Sequence, residues 1–191
     1  MTDTMRTTET GEPVPAGADT GIELREATAL VVGWAREQDL EVEVFDPAHV
    51  AVTLPGEHKL KTTVSVRAGE RAVDLQAFVI RRPDENDGKF HTWLLQRNTR
   101  LSGLAFALDP LGDVYLNGTV PNAAWDSELL DQMMGRFLSA ADESFDELLV
   151  IGFLTSMKKE WAWRIARGES TRNLQAFEHL LAEDNEYIGT Y

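Results

Sequence analysis

The chain has 191 residues, 43% hydrophobic and 26% charged, with 32 acidic against 18 basic side chains and a formal net charge of -14. That length fits one domain of ordinary size, able to bury roughly 70% of the surface its unfolded chain exposes. The acidic balance speaks against nucleic acid as a partner, since phosphate binding needs clustered Lys and Arg, and zero Cys excludes a disulfide framework or a thiolate metal site.

No apolar run approaches the ~18 residues of a membrane span, and residues 1–21 lack the apolar core of a signal peptide. A cytoplasmic protein without membrane contact is expected. The opening "MTDTMRTTETGEPVPAGADTG" has almost nothing to bury, so it cannot offset the ~1–2 kcal/mol per residue that ordering a backbone costs. It is expected to be a disordered acidic tail. Ile22, Leu24, Ala27, Leu30, Val31 and Trp34 then recur at helical spacing, predicting a helix that ends near Asp39 and packs on a sheet.

Period two replaces it. "VEVF", "VAVTLP", "LKTTVSVRA" and "AVDLQAFVI" are alternating runs separated by turn residues, and connections this short imply antiparallel neighbours. Whether 40–45 is its own strand or the end of the first helix is open at this level. Residues 87–101 return to helical spacing through Phe90, Trp93, Leu94, Arg97 and Leu101. Two alternating runs joined by Asp109-Pro110-Leu111-Gly112 then predict a hairpin. After Pro121 a long helix is expected, capped by Asp126 and buried along Leu130, Met133, Met134, Phe137, Ala141, Phe145, Leu148 and Leu149. Two short helices follow, one over about 156–167 that stops at Gly168 and one capped by Ser170. The order α–βββ(β)–α–ββ–α predicts a two-layer α+β domain, an antiparallel sheet flanked by helices. It divides the chain into the tail at 1–21, a domain at 22–152 and a helical extension at 153–191.

"LQRNTRLSGLAFALDPLGDVYLNGTV" and "ADESFDELLVIGFLTSMKKEWAWRIARGES" resemble the actinobacterial branch of the YbjN family over roughly 22–170. The resemblance implies a fold like that of type III secretion chaperones of the CesT kind, often a homodimer that binds extended peptide. It brings no reaction or catalytic residue set with it. The N-terminal tail and the helices after Gly152 depart from the smaller family members.

The residues themselves propose no chemistry either. His49, His58, His91 and His179 are scattered without metal-ligand spacing, and no Gly-rich phosphate loop is present. Neither a metal nor another cofactor is expected. Ser144 sits among Asp142, Glu143 and Asp146, yet no nucleophile elbow surrounds it, so these carboxylates read as a helix face that bonds neighbouring backbone or a basic group of the extension. "DENDG" at 84–88 lacks the spacing of a calcium loop and reads as a helix entry with Asp84 as cap.

One segment stands out in charge. Residues 155–172 carry Lys158, Lys159, Arg164, Arg167 and Arg172 against only Glu160 and Glu169. On a helix Trp161 and Trp163 lie roughly 200° apart, so Trp161 aligns with Met157 and Ile165 in a core stripe while Trp163 keeps charged neighbours. Trp163 either stacks with Lys159 or Arg167 or docks on another surface. Lys158, Lys159, Trp161, Trp163, Arg164 and Arg167 thus form a candidate interaction patch, for the chain's own acidic end, for a second copy, or for an acidic partner. Trp93, Arg97 and Asn98 form a second candidate cluster, either core packing with a helix cap or the floor of a peptide groove. The expected function is a non-enzymatic homodimeric module that binds a protein or peptide at a sheet edge or in a groove. The alternative is a regulatory domain with a small-molecule cavity lined by Met133, Met134, Trp93 and Phe106.

Overall fold

The computed structural model describes residues 14–15 and 25–191. Most of the expected tail, together with Ile22 and Leu24, lies outside the described residues. Within the tail, Val14–Pro15 form a short strand, β1, whose backbone pairs with the sheet, Val14 opposite Val44 and Pro15 opposite Glu43. Disorder was the expectation for all of 1–21 because it has few side chains to bury. An edge strand offers unpaired N–H and C=O groups, which a passing backbone satisfies without burying side chains.

Helix α1 (Glu26–Glu37) precedes a four-stranded meander of β2 (Glu41–Asp46), β3 (His49–Pro55), β4 (Lys61–Ala68) and β5 (Ala72–Ile80). Helix α2 (Asp87–Asn98) crosses to the hairpin β6 (Leu104–Leu108) and β7 (Val114–Pro121). Helix α3 (Ser127–Arg167) and a 3-10 turn (Arg172–Phe177) running into α4 (Glu178–Leu181) complete the chain. The strands form one antiparallel sheet in the order β1-β2-β3-β4-β5-β7-β6. This is the α+β order the periodicity predicts, with 40–45 resolved as a strand of its own.

Alternation explains the layers. Val64 and Val66 of β4, Val73, Leu75 and Ala77 of β5, and Leu116 of β7 point to one face and are closed beneath α1 and α3. The opposite face is polar and open, crossed by the pairs Thr53–Thr63, Gln76–Asn117 and Thr119–Asp74. The hairpin turn is as expected: Gly112 donates to the Asp109 carbonyl at 3.0 Å and has φ of 89°, while the Asp109 carboxylate accepts from Leu111 and Asp113. Asp126 caps α3 through a 2.8 Å bond from the Leu129 N–H.

The end of the chain departs from expectation. The long helix and the short one at 156–167 are a single helix of 41 residues, about 60 Å long at 1.5 Å per residue. The loop between β5 and α2 docks on the helix where the sequence pattern places the break. Thr155 N–H donates to the Glu85 carboxylate at 2.7 Å, and the Ile151 carbonyl accepts from Asn86 Nδ2 at 2.9 Å. Those two backbone groups are the i, i-4 partners of an undisturbed helix, so loop side chains serve both without ending it. The boundary drawn at 152/153 therefore falls inside α3. Asp84 is not the cap of α2 either: Asn86 holds that position at φ of 59°, and Asp84 instead pairs with Arg81.

Candidate functional site

The turn between β3 and β4, the end of β5, the outer side of α3 and residues 170–176 enclose an open groove of about 1190 Å³. Its apolar surface comes from Leu60, Phe78, Phe145 and Ala176. Leu60 is 79% exposed and Phe78 42%, and their lining one groove, rather than the exposure of either alone, is what marks the place. Covering what remains exposed of each would contribute on the order of 1 kcal/mol. Phe78 follows Asp74 and Gln76 on the outward register of β5, so strand alternation itself places an aromatic on the open face.

Each wall is held for an identifiable reason. The β3–β4 turn is clasped to α3: Asp142 Oδ1 accepts from the backbone N–H groups of His58 at 3.0 Å and Lys59 at 2.8 Å. His58 Nδ1 meets Asp146 Oδ2 at 2.7 Å, and that hydrogen bond raises the His58 pKa above its ordinary value. The turn approaches so closely that a Cβ on Gly56 would meet Asp142 Oδ1 and the Lys59 carbonyl. On the next wall Arg81 makes a two-pronged pair with Asp84 and lies 4.3 Å from the Phe153 ring.

Lys59 and Arg172 are the cations that lack a carboxylate partner among the described residues of this rim. Lys59 Nζ donates to the Lys61 carbonyl and stands 6.0 Å from the Phe78 ring, and burial pushes its pKa below the ordinary lysine range. Arg164, one of the sequence-selected patch residues, also lines this groove.

The remaining patch residues are engaged within the chain. Trp161 is 5% exposed and belongs to the core, while Trp163 is half-buried with the Arg167 guanidinium 4.9 Å from its ring. Lys158 Nζ donates to the Asp184 carbonyl at 3.0 Å, and Lys159 Nζ lies 5.2 Å from the Tyr187 ring. Arg164 bonds Glu160 and the Ser170 carbonyl. These contacts seat the C-terminal segment against α3, and that segment is one wall of the groove.

Trp93, Arg97 and Asn98 do not form one floor. Trp93 packs edge-on to Phe106 at 6.0 Å, and Arg97 turns away from it to pair with Glu143 of α3 at 2.8 Å. Asn98 takes both backbone groups of Phe106 with its side-chain amide, accepting from N–H at 2.7 Å and donating to the carbonyl at 3.1 Å. It acts as a one-residue strand on the outer edge of β6. The carboxylates beside Ser144 do bond backbone, at the β3–β4 turn, and a basic group, on α2, where the C-terminal extension was the expected source. Ser144 itself is fully buried and its hydroxyl has no hydrogen-bond partner among the described residues. Met133, Met134 and Phe106 are closed into the core at 1%, 1% and 6% exposure, and Trp93, the fourth residue of the expected cavity, is half-buried.

Leu60, Phe78 and Phe145 escaped the sequence reading as a set because they come from a turn, a strand and a helix far apart in the chain. The available signals were the outward register of Phe78 and the single apolar residue in "GEHKLK".

The family model YbjN, "Putative bacterial sensory transduction regulator", matches residues 28–150. The chain belongs to the YbjN family. A relative in Mycobacterium tuberculosis, carrying the name uncharacterized protein, is 46% identical over 134 residues, covering 70% of this chain and 73% of its own. One in Mycobacterium leprae, named in the same way, is 44% identical over 137 residues, covering 72% and 74%. Among solved structures, the YbjN chain is similar to one in the heterodimeric ExoU–SpcU complex from the type III secretion system of Pseudomonas aeruginosa. That similarity has a TM-score of 0.46 and 17% identity, and it covers 63% of this chain and 96% of that one. A chain in the complex of the Yersinia pestis type III secretion chaperone SycH with a YscM2 fragment gives a TM-score of 0.46 and 19% identity, with coverage of 60% and 96%. The YbjN match ends at residue 150, so Phe145 falls within it, whereas Arg164 and Ala176 on the opposite wall come from the part of the chain beyond it. No helix among the described residues is long and apolar enough to cross a membrane.

Proposed function

We propose that this YbjN protein is a regulatory module that holds a segment of a partner protein in the groove between the β3–β4 turn and the C-terminal segment. The observation that carries the reading is the apolar set of exposed Leu60 and Phe78 with half-buried Phe145, rimmed by Lys59 and Arg172, which lack a carboxylate partner among the described residues, in a chain of net charge -14. Strand addition is disfavoured at both edges of the sheet. Asn98 occupies the outer backbone groups of Phe106 on β6, and Val14–Pro15 cover part of β2. The bound segment presents apolar anchors flanked by acidic residues, and no reaction is assigned to the site. The family description as a sensory transduction regulator supports the regulatory part of the reading.

A photoreactive residue at position 60, compared with one at the exposed Leu95 of α2, tests this in the host cell. A discrete crosslinked partner is expected from position 60 alone, and it should disappear in a Phe78→Asp/Arg172→Glu variant that melts at the wild-type temperature. The same products from both positions would overturn the reading. A single product of twice the chain mass, with light scattering to match, would make the partner a second copy of the chain.

A further inference from the structure

The C-terminal turn of α2 and the outward side of α3 enclose a second cleft of about 670 Å³, separate from the groove. Its floor is apolar, from Leu101, Leu104 and Ala140, and its walls carry Arg97, Arg100 and Arg136. A single carboxylate, Glu143, faces these three guanidinium groups. Both of its oxygens are occupied, Oε2 by Arg97 at 2.8 Å and Oε1 by the Ser139 hydroxyl at 2.5 Å.

The donors of the other two arginines are nearly idle. Arg136 reaches the Ser102 carbonyl and Gln132 Oε1 only at 3.4 Å each, and the Arg100 side chain has no hydrogen bond or ion pair among the described residues. Arg97 Nε is buried without a partner. A guanidinium carries five N–H donors in a fixed fork, so the cleft holds far more donors than acceptors. The carbonyls at the end of α2 account for Arg97 and Arg100, because cations are favoured at a helix C-terminus. They do not account for Arg136, which projects from the third turn of α3.

We propose that this cleft binds a small molecule bearing a phosphate or pyrophosphate group, its anionic end on Arg97, Arg100 and Arg136 and its apolar body on Leu101 and Leu104. The excess of two positive charges over Glu143 matches a phosphate dianion, and the guanidinium fork suits two phosphate oxygens at once. The volume lies within the range of small-molecule sites. The site is independent of the partner groove, and α3 contributes to both.

Calorimetry on the full chain at constant ionic strength, with inorganic phosphate, pyrophosphate and succinate as probes, tests it. Saturable pyrophosphate binding is expected, weakened on the order of tenfold or more in Arg100→Gln and in Arg136→Gln. Both side chains project from the surface, and a thermal melt of each variant confirms that it is folded. Arg172→Gln, which removes a cation from the groove and not from the cleft, should bind pyrophosphate as wild type does. Absence of saturable binding would overturn the proposal, as would equal loss in Arg172→Gln or equally tight binding of succinate.

Discussion

Single residues carry much of the docking of the β5–α2 loop. The Gly152 carbonyl accepts from the N–H groups of Asp84 and Glu85, and a Cβ at 152 would come within 2.8 Å of Pro83 and 3.0 Å of Phe90. Alanine is the better helix former by roughly 1 kcal/mol, so propensity and packing oppose each other at this position. Packing should prevail. Gly152→Ala is expected to destabilise the fold by about 1–3 kcal/mol in denaturant unfolding, and a stabilised variant would show that the loop moves away freely. Asp84 gives a pH signature in the same loop. Arg81 beside it holds its carboxyl at about 2, with the Ser156 hydroxyl also donating. A depressed carboxylate pKa stabilises the fold above the unfolded value of 3.8 and loses that contribution as pH falls through about 2. The side chain is 37% exposed, so solvent screening keeps the effect below about 1 kcal/mol. Asp84→Asn should therefore be less stable than wild type at neutral pH, with the difference closing between pH 4 and 2 in parallel acid titrations.

Among the elements, β6 and α3 show how one segment completes another. Strand β6 is an outer strand of the sheet, and Asn98, the last residue of α2, supplies the hydrogen bonds that a further strand would give to Phe106. Asn98→Ala should cost roughly 1–3 kcal/mol for the two lost bonds, and it opens a strand edge to other chains. Concentration-dependent association of this variant in light scattering is the expected result. An Asn98→Ala protein that stays at the wild-type mass at all concentrations would mean that the edge is protected by other means. Helical periodicity alone places Asn98 at a helix end in need of a cap. Its role on β6 was not legible, because the partner strand lies across a turn and side-chain direction there depends on how α2 crosses the sheet. Helix α3 was legible in its cap, in its buried stripe to Leu148 and in its stop at Gly168. Its continuity through 150–155 was not, and the Glu85 and Asn86 side chains that bond its backbone there come from another element.

For the whole molecule, the segment beyond the YbjN match belongs to the same core as the rest. Met157, Trp161, Leu174, Phe177 and Leu181 are buried in one cluster with Val31 and Leu75. Removing them forfeits on the order of 10 kcal/mol of apolar burial, which is comparable to the 5–15 kcal/mol stability of an ordinary domain. A chain ending at Gly152 is thus expected to lose cooperative thermal unfolding and to bind a hydrophobic dye. A sharp transition in that truncated chain would instead make 153–191 a separable extension, as the division of the sequence suggests.

The sequence by itself determined the α+β order, the hairpin at Asp109–Gly112, the Asp126 cap and the split between Trp161 in the core and Trp163 among charged neighbours, while the structure selected Arg167 from among the partners open to Trp163. Each of these depends on residues a few positions apart, where periodicity, turn chemistry and helix geometry act locally. Tertiary structure decided which strands stand at the edges, that α3 runs unbroken, and that Leu60, Phe78 and Phe145 meet in one groove while Arg97, Arg100 and Arg136 meet in another. Those groups come from distant parts of the chain, and only the packing of helices on one face of the sheet fixes the distances between them.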